Sequence, residues 1–264
     1  MTEPTAAASV RLLRDGARAT LLIDRPEKKN ALNEAAWLAF QGVAAEIAAD
    51  PEIAVVTVRG AGGVFCAGAD IGEFVALTTA DEERRDAFAN AVRDGEEAVA
   101  GIAKPTIAAI EGACVGGGCQ IALASDIRIA AEGTRFGVTP AKLGIAYPVV
   151  STRRLVSTVG RSAAKDLLFT GRLIGAEEAL AIGLVDRVVP AERLDEEVAT
   201  VVAQIEANSR YSLAVSKRTV DALDDAAAHA ELDALWRGGF SGEDLKEGAR
   251  AFLEKRKPAF SWRG

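Results

Sequence analysis

Residues 106–120 read Thr106-Ile107-Ala108-Ala109-Ile110-Glu111-Gly112-Ala113-Cys114-Val115-Gly116-Gly117-Gly118-Cys119-Gln120. The apolar run Thr106–Ile110 is typical of a buried strand. A glycine-rich turn, Gly112–Gly118, follows it, and a short helix is predicted from Cys119. Glycine lets the backbone approach a ligand closely, and a helix that starts at Gly117–Gly118 points free N–H groups outward. This unit therefore predicts a place where backbone donors meet a ligand.

A second glycine-rich turn lies upstream and reads Gly60-Ala61-Gly62-Gly63-Val64-Phe65-Cys66-Ala67-Gly68-Ala69-Asp70. It follows another predicted strand, Ile53–Val58. Two N–H donors that converge on one oxygen form an oxyanion hole, and each is worth about 2.7–4 kcal/mol of transition-state stabilisation. Gly112–Gly118 lacks the G-x-G-x-x-G spacing, and the chain has no G-x-x-x-x-G-K-[ST] loop. The turns therefore do not indicate a nucleotide fold.

Outward from these turns, strand and helix patterns alternate, which predicts an α/β fold. Asp15-Gly16 between two apolar runs predicts a β-hairpin. Asn33 is placed to cap a helix over Glu34–Ala48. The other predicted elements are an amphipathic helix over Asp81–Ala100 with Phe88, Val92 and Val99 on one side, strands at Ile127–Ala130 and Leu184–Val189, and helices from there to Lys257.

Composition narrows the class of protein. A chain of 264 residues can bury a large core without a disulfide or metal. Its 31 Lys and Arg against 38 Asp and Glu give a net charge of −7, which argues against a nucleic-acid or anionic-membrane partner. Three cysteines without a C-x-x-C motif predict free thiols in a reducing compartment. Met1–Ser9 lacks a signal-peptide pattern, and we expect a cytoplasmic protein.

The chain has a single histidine, His229. One histidine excludes a His-rich metal site, and any catalytic triad or dyad that needs histidine would have to use this residue. His229 lies in the Ala- and Asp-rich stretch Asp221–Trp236, which has helical spacing and no turn chemistry. We therefore expect an exposed helix residue and no metal.

The motifs along the whole chain resemble the crotonase superfamily, the enoyl-CoA hydratase/isomerase family. They are Phe65–Ile71, Lys104–Gly112, Gly116–Gln120, Ser125–Ala130, Phe136-Gly137, Lys142–Ile145, Phe169–Gly171, Ala179–Val185 and Ala251–Phe260. The resemblance implies a spiral of ββα units in 1–190 and a C-terminal helical lobe in 191–264. The lobe would mediate oligomerisation and form a wall of the acyl pocket, in a homotrimer or a dimer of trimers.

The resemblance also implies a coenzyme A thioester as substrate, with coenzyme A entering as part of the substrate and no separate bound cofactor. Matched to the family motif, the N–H groups of Ala69 and Gly117 would hold the thioester oxygen while an enolate forms. The implied CoA-binding residues are Arg25, Lys28 and Lys29 for the phosphates and adenine, Ala67, Asp70 and Ile71 for the adenine pocket, and Lys257 or Phe260 from the same or a neighbouring subunit.

Two positions depart from the family's hydratases, which use two carboxylates to add water. Gln120 and Pro140 stand where those carboxylates belong. A malonyl-type thioester loses CO2 to give an enolate without a base, so a decarboxylase is the first interpretation. Thr139–Tyr147 resembles the methylmalonyl-CoA decarboxylase branch, which implies that Tyr147 orients the substrate carboxylate. Gln120 could donate its amide N–H to that carboxylate or position a water, with Arg153 and Arg154 as further carboxylate partners.

Two alternatives stay open. In the first, the chain is a hydratase or isomerase with a relocated carboxylate, for which the candidates are Glu73, Asp81, Glu82, Glu83 and Asp166. In the second, it binds acyl-CoA without turnover, which the missing carboxylates favour and the intact glycine turns oppose.

Overall fold

A computed structural model describes residues 9–263. The strands are β1 (Val10–Asp15), β2 (Arg18–Ile23), β3 (Val55–Gly60), β4 (Thr106–Ile110), β5 (Ala113–Val115), β6 (Ile127–Ala131), β7 (Arg135–Gly137), β8 (Leu173–Gly175) and β9 (Arg187–Val189). The helices are α1 (Glu34–Ala49), α2 (Ile71–Leu77), α3 (Glu82–Ala100), α4 (Gly117–Leu123), α5 (Val149–Thr170), α6 (Ala176–Ala181), α7 (Leu194–Glu206), α8 (Arg210–Asp221), α9 (His229–Gly238) and α10 (Glu243–Leu253).

The larger sheet has six strands in the order β1-β2-β3-β4-β6-β9. β1 and β2 form the antiparallel hairpin predicted at Asp15-Gly16, where Gly16 adopts φ +60°. The other neighbours are parallel. Parallel strands require crossovers, and α1, α3 and α4 lie in those crossovers. The predicted α/β class is confirmed.

The smaller sheet has the order β5-β7-β8, and the glycine-rich turn Gly60–Asp70 lies against it. A parallel bridge pairs Cys66 with Cys114 of β5, and a second bridge pairs Leu32 with Ala69. The glycine-rich loop after β3 is thus held along β5 as an extra short strand. Sequence patterns did not predict β5, β7 or β8, because three-residue strands are too short to show a period-2 alternation.

The period-2 alternation of β4 separates two cores. Ala108 and Ile110 belong to the main core under α1 and α3. Ile107 and Ala109 face the other side, where Val198 and Val201 of α7 cover them. The helix that follows residue 190 therefore packs on the central sheet. The domain boundary at 190/191, and the roles assigned to the lobe beyond it, stay predictions.

The predicted cap at Asn33 is confirmed, since its side chain accepts the Ala36 N–H. Asp81 caps α3 in the same way by accepting the Arg84 N–H. The short helix α2 was missed, because we assigned its first residues to the glycine-rich loop. Gly160, at φ +77°, interrupts α5. His229 is exposed at the start of α9, as predicted. None of the helices in 9–263 is long and apolar enough to span a bilayer.

Candidate active site

Gly117 carries the first backbone donor of the site. Helix α4 begins at Gly117, so this N–H lies in the first turn and has no acceptor within the helix. Gly116 before it adopts φ +52° and ψ −115°, a conformation that L side chains rarely reach. No atom in the described part of the chain accepts a hydrogen bond from the Gly117 N–H. This donor is therefore available to a ligand oxygen.

Ala69 carries the second donor, and the bridge to Leu32 sets its direction. The Leu32 N–H donates to the Gly68 carbonyl at 2.7 Å, and the Asp70 N–H donates to the Leu32 carbonyl at 2.9 Å. In such a parallel bridge the peptides on either side of Ala69 turn toward Leu32, so the Ala69 N–H points the opposite way. Within residues 9–263 it, too, has no acceptor.

The two donors follow segments that touch. A Cβ built on Gly68 would lie 3.9 Å from Gly116 Cα, and one built on Gly116 would lie 3.8 Å from Gly68 Cα. Ala69 and Gly117 are the next residues along these two contacting backbones. The structure thus brings together the residues predicted to form the oxyanion hole.

Close packing explains why the turn at α4 needs glycine. A Cβ on Gly117 would come within 2.9 Å of Cζ2 of Trp37, a fully buried side chain of α1. A Cβ on Gly118 would come within 2.5 Å of the Cys66 carbonyl oxygen. Real Cβ contacts do not reach these distances, so any larger residue would displace the turn Gly116–Gly118, which we call the donor loop.

Three buried thiols, Cys66, Cys114 and Cys119, lie beside these turns. All three are free, as the sequence predicts. Burial raises the pKa of Cys66 to about 12 and raises the pKa of Cys114 well above its usual value. The Cys119 thiol donates to the Cys114 carbonyl at 2.9 Å. Cys66 and Cys114 are therefore protonated packing groups near neutral pH, not nucleophiles.

Gln120 projects from α4 into a buried polar cluster, which we call the Glu96 cluster: Glu96, Gln120, Ser151 and Arg154. Gln120 Nε2 donates to Ser151 Oγ at 2.9 Å and to Glu96 Oε2 at 3.2 Å. Ser151 Oγ in turn donates to Glu96 Oε2. Arg154 Nη1 donates to Glu96 Oε1 at 2.7 Å. Both N–H bonds of Gln120 are therefore used inside the protein, so Gln120 does not offer the amide donor that we expected.

Glu96 is a buried carboxylate of the candidate site that sequence analysis missed. Its side chain is fully buried, and burial raises its pKa, while the bonds from Ser151 and Arg154 act in the opposite direction. A signal was present in the sequence. Glu96 lies four residues after Val92 and three before Val99, so a carboxylate occupies the apolar face of α3. Arg154, expected to meet a substrate carboxylate, is paired with Glu96 and Glu97 instead.

Tyr147 lies beside the turn that carries the Gly117 N–H. Its hydroxyl proton is used in a hydrogen bond to that turn, so Tyr147 does not offer a donor to a substrate carboxylate. Its hydroxyl donates to the Gly116 carbonyl at 2.7 Å, and the Gln120 N–H reaches the same oxygen at 3.1 Å. Burial raises the pKa of Tyr147 well above its usual value, so the phenol stays protonated. Because a phenol has one proton, Tyr147 presents only an acceptor elsewhere. The Gly116 carbonyl belongs to the same peptide as the Gly117 N–H.

Three of the five carboxylates proposed to have moved are bound within the protein, and the other two are exposed. Glu73 accepts the Glu34 N–H at the start of α1 at 2.7 Å, and Asp166 pairs with Arg172. Asp81 caps α3, and the two glutamates after it are exposed. Arg153 is exposed as well. Pro140 is buried in a 3₁₀ turn and brings no polar group.

Arg25 and Asp70, both expected to bind CoA, form a pair. The Arg25 guanidinium donates to the Asp70 carboxylate at 3.2 Å and to the Ala31 carbonyl. Asp70 also caps α2 by accepting the Gly72 N–H at 3.1 Å. Each charge is thus compensated by the other. Ile71, the first residue of α2, is 53% exposed and available for contact with a ligand.

Lys28 and Lys29 are exposed beside this pair. Lys29 has φ +50°, and its carbonyl accepts the Ala67 N–H at 3.0 Å. This bond joins the lysine turn to the segment that leads to Ala69. The structure therefore gathers six of the eight predicted CoA-binding residues along one edge of the turn that carries Ala69: Arg25, Lys28, Lys29, Ala67, Asp70 and Ile71.

Lys257 and Phe260 lie in the segment after α10. Lys257 is exposed. The Phe260 ring lies near Gly248 of α10 and lines an apolar cavity of about 700 Å³ together with Tyr211 and Trp236. No hydrogen bond of the described residues links either side chain to the group around Arg25. Their predicted contact with CoA stays a prediction.

Comparisons with known proteins identify the family of this chain. The Enoyl-CoA hydratase/isomerase family profile matches residues 16–263. The chain is 38% identical to a short-chain-enoyl-CoA hydratase of Clostridium acetobutylicum over 94% of this chain and 96% of the relative. It is 37% identical to a crotonyl-CoA hydratase of Syntrophomonas wolfei over 92% and 94%, respectively.

Among solved structures, a protein of Hyphomonas neptunium assigned to the enoyl-CoA hydratase/isomerase family superposes with a TM-score of 0.91. It is 41% identical to this chain, and the match covers 97% of this chain and 98% of that one. The glycine turns, the sheet order and these similarities extend over nearly the whole chain. The chain therefore belongs to the enoyl-CoA hydratase/isomerase family and has the crotonase fold.

Proposed function

We propose that this chain is an enzyme that forms the enolate of an acyl-CoA thioester. The carrying observation is the pair of N–H groups of Ala69 and Gly117, which have no acceptor among the described residues 9–263 and follow contacting segments. A thioester oxygen bound by both would be stabilised as it gains negative charge. Each such donor contributes roughly 2.7–4 kcal/mol to the transition state.

The CoA part would bind along the edge formed by Lys28, Lys29, Ala67 and Ile71. The lysine ammonium groups are exposed and would meet phosphates, whereas Arg25 and Asp70 would shape the edge through their ion pair. Lys257 and Phe260 would reach CoA from a neighbouring subunit of a homotrimer or a dimer of trimers. We expect the enzyme to act in the cytoplasm.

The reaction that the polar groups favour is addition of water to an enoyl thioester, or its reverse. Gln120 and Tyr147 use their donors within the protein, so they offer acceptors. Water and alcohols can donate to such an acceptor, whereas an ionised malonyl-type carboxylate only accepts and therefore cannot. Water addition forms the C–O bond at the β-carbon and moves a proton from water to the α-carbon. Glu96 is the buried carboxylate that contacts Gln120 and Ser151.

Decarboxylation of a malonyl-type thioester is the second candidate. It is favoured by Gln120 and Pro140, which leave both hydratase carboxylate positions without an acid. The C–C bond to CO2 would break, its electrons would pass into the enolate, and the oxyanion hole would hold the charge. This reaction requires no base to start it.

Mass spectrometry on the protein incubated with crotonyl-CoA and methylmalonyl-CoA together separates these reactions. A gain of water by crotonyl-CoA supports the hydratase proposal. Loss of CO2 from methylmalonyl-CoA with crotonyl-CoA unchanged supports the second candidate. Tight CoA-ester binding without turnover across a wider panel of thioesters would mean a binding protein and overturn both.

A further inference from the structure

Glu96 acts on the site by orienting the side-chain amide of Gln120, and the directions of the hydrogen bonds in the Glu96 cluster set that orientation. Arg154 Nη1 donates to Glu96 Oε1, and the Ser151 hydroxyl donates its single proton to Glu96 Oε2. Ser151 Oγ can then only accept from Gln120, and an ionised carboxylate only accepts. Gln120 must therefore turn its NH2 group toward Glu96 and Ser151. The amide orientation is fixed by these partners.

The carboxamide oxygen of Gln120 consequently points away from Glu96 and Ser151. Gln120 Oε1 accepts no hydrogen bond from the residues that the structure describes, and Gln120 keeps 5% of its surface exposed. Gln120 and Gly117 are three residues apart and share a face of α4. Helical side chains lean toward the helix N-terminus, which here is Gly117. Oε1 is thus the unpaired acceptor close to the proposed thioester site.

We propose that Glu96 is a positioning residue that holds Gln120 Oε1 toward the acyl group, where it selects ligands that carry a hydroxyl. The ligand class is a β-hydroxyacyl thioester, or an enoyl thioester together with the water that adds to it. The inference rests on the proposed function for its acyl-CoA ligand. It adds the origin of hydroxyl recognition: the amide at position 120 is oriented by a carboxylate of α3, Glu96.

The charge of Glu96 is what fixes the amide. Arg154 favours the ionised form, and Glu97, which shares Arg154, is the other charged group at this ion pair. A neutral carboxamide at position 96 could donate as well as accept, so Gln120 could turn Oε1 inward. Glu96→Gln should therefore remove the cleft acceptor while keeping the side-chain volume.

Calorimetric binding of 3-hydroxybutyryl-CoA, as both enantiomers, and of butyryl-CoA tests the proposal. The wild-type chain should bind one hydroxy enantiomer about tenfold more tightly than butyryl-CoA, as one well-placed hydrogen bond predicts. Glu96→Gln and Gln120→Met should reduce that preference to less than twofold. Butyryl-CoA affinity should stay within about twofold, which also shows that the variants fold.

Glu97→Gln is the matched control. Glu97 is the next residue, pairs with the same arginine and is half-exposed, and no hydrogen bond of the described residues joins it to Gln120. It should keep the tenfold preference. A hydroxyl preference that survives Glu96→Gln, even with turnover lost, would overturn the inference. Equal binding of both ligands by the wild-type chain also overturns it. Binding of neither would overturn the proposed function as well.

Discussion

The candidate site has two halves that are held in different ways. The backbone half consists of the Ala69 and Gly117 turns, where short β-bridges and glycine contacts fix two N–H groups. The side-chain half is the Glu96 cluster, where buried hydrogen bonds and one ion pair fix the direction of Gln120. The backbone half resembles the family pattern, and the side-chain half departs from it. The two backbone donors of the proposed oxyanion hole are thus present, while Gln120 and Pro140 occupy the two positions where the family's hydratases carry carboxylates.

The largest effect should follow from disturbing the backbone half. Gly117→Ala would place a Cβ within 2.9 Å of the buried Trp37 ring, so the loop must shift. Turnover should fall about 100-fold, because a displaced oxyanion donor loses most of its contribution. Steady-state kinetics on the substrate identified by mass spectrometry measures this.

The matched control is Gly175→Ala, where an added Cβ meets no atom within 4 Å and φ is −85°. Its activity should stay within about twofold of the parent. Equal activity of Gly117→Ala and Gly175→Ala would mean that the Gly117 N–H takes no part in the reaction.

Moving the carboxylate between positions 96 and 120 tests the side-chain half: one substitution should destabilise the Glu96 cluster, and the second should restore its stability. Gln120→Glu alone places a second carboxylate beside Glu96, whose Oε2 lies 3.2 Å from Gln120 Nε2. Like charges at this distance repel, so the single variant should unfold roughly 1–3 kcal/mol more easily. The double variant Gln120→Glu with Glu96→Gln should recover that stability and hydrate crotonyl-CoA at least tenfold faster than the single variant. Additive effects in this double-mutant cycle would contradict a direct contact.

Tyr147→Phe should have a smaller effect on turnover, because Tyr147 contacts the Gly116–Gly117 peptide at its carbonyl and not at its N–H. Its hydroxyl holds the Gly116 carbonyl, and the Gln120 N–H still reaches the same oxygen in the variant. We expect turnover to fall about fivefold with KM within about twofold, in line with the loss of one hydrogen bond. The infrared C=O stretch of a bound isotope-labelled thioester should shift toward its value in solution. An unchanged stretch and unchanged turnover would separate Tyr147 from the donor loop.

The smallest effect concerns stability against pH. Burial raises the pKa of Glu96, so the folded chain keeps this proton to a higher pH than the unfolded chain. The free energy of unfolding of the parent, relative to Glu96→Gln, should therefore fall as pH rises from about 4.3, the ordinary glutamate pKa, through the raised one. Urea unfolding of both proteins across this range measures the difference. A difference that grows with pH would show that the Arg154 ion pair outweighs burial.

The backbone half and the α/β pattern could be predicted because their causes are local. The hairpin at Asp15-Gly16, the cap at Asn33 and the start of α4 each follow from a few neighbouring residues. The resemblance to the family added the pairing of Ala69 with Gly117. The strands β5, β7 and β8 and the short helix α2 were missed because they are fixed by neighbours distant in sequence.

The sequence by itself determined the fold class, the two glycine turns, the free thiols and the absence of both hydratase carboxylates at 120 and 140. Only the tertiary structure decided which side chains meet. Glu96 and Gln120 are 24 residues apart, and Ser151 lies 31 residues beyond Gln120. A hydrogen bond has a direction that residue type alone does not give, since Gln120 can present either end of its amide. Its three-dimensional neighbours made that choice, because a buried polar group must be paired where partners are available.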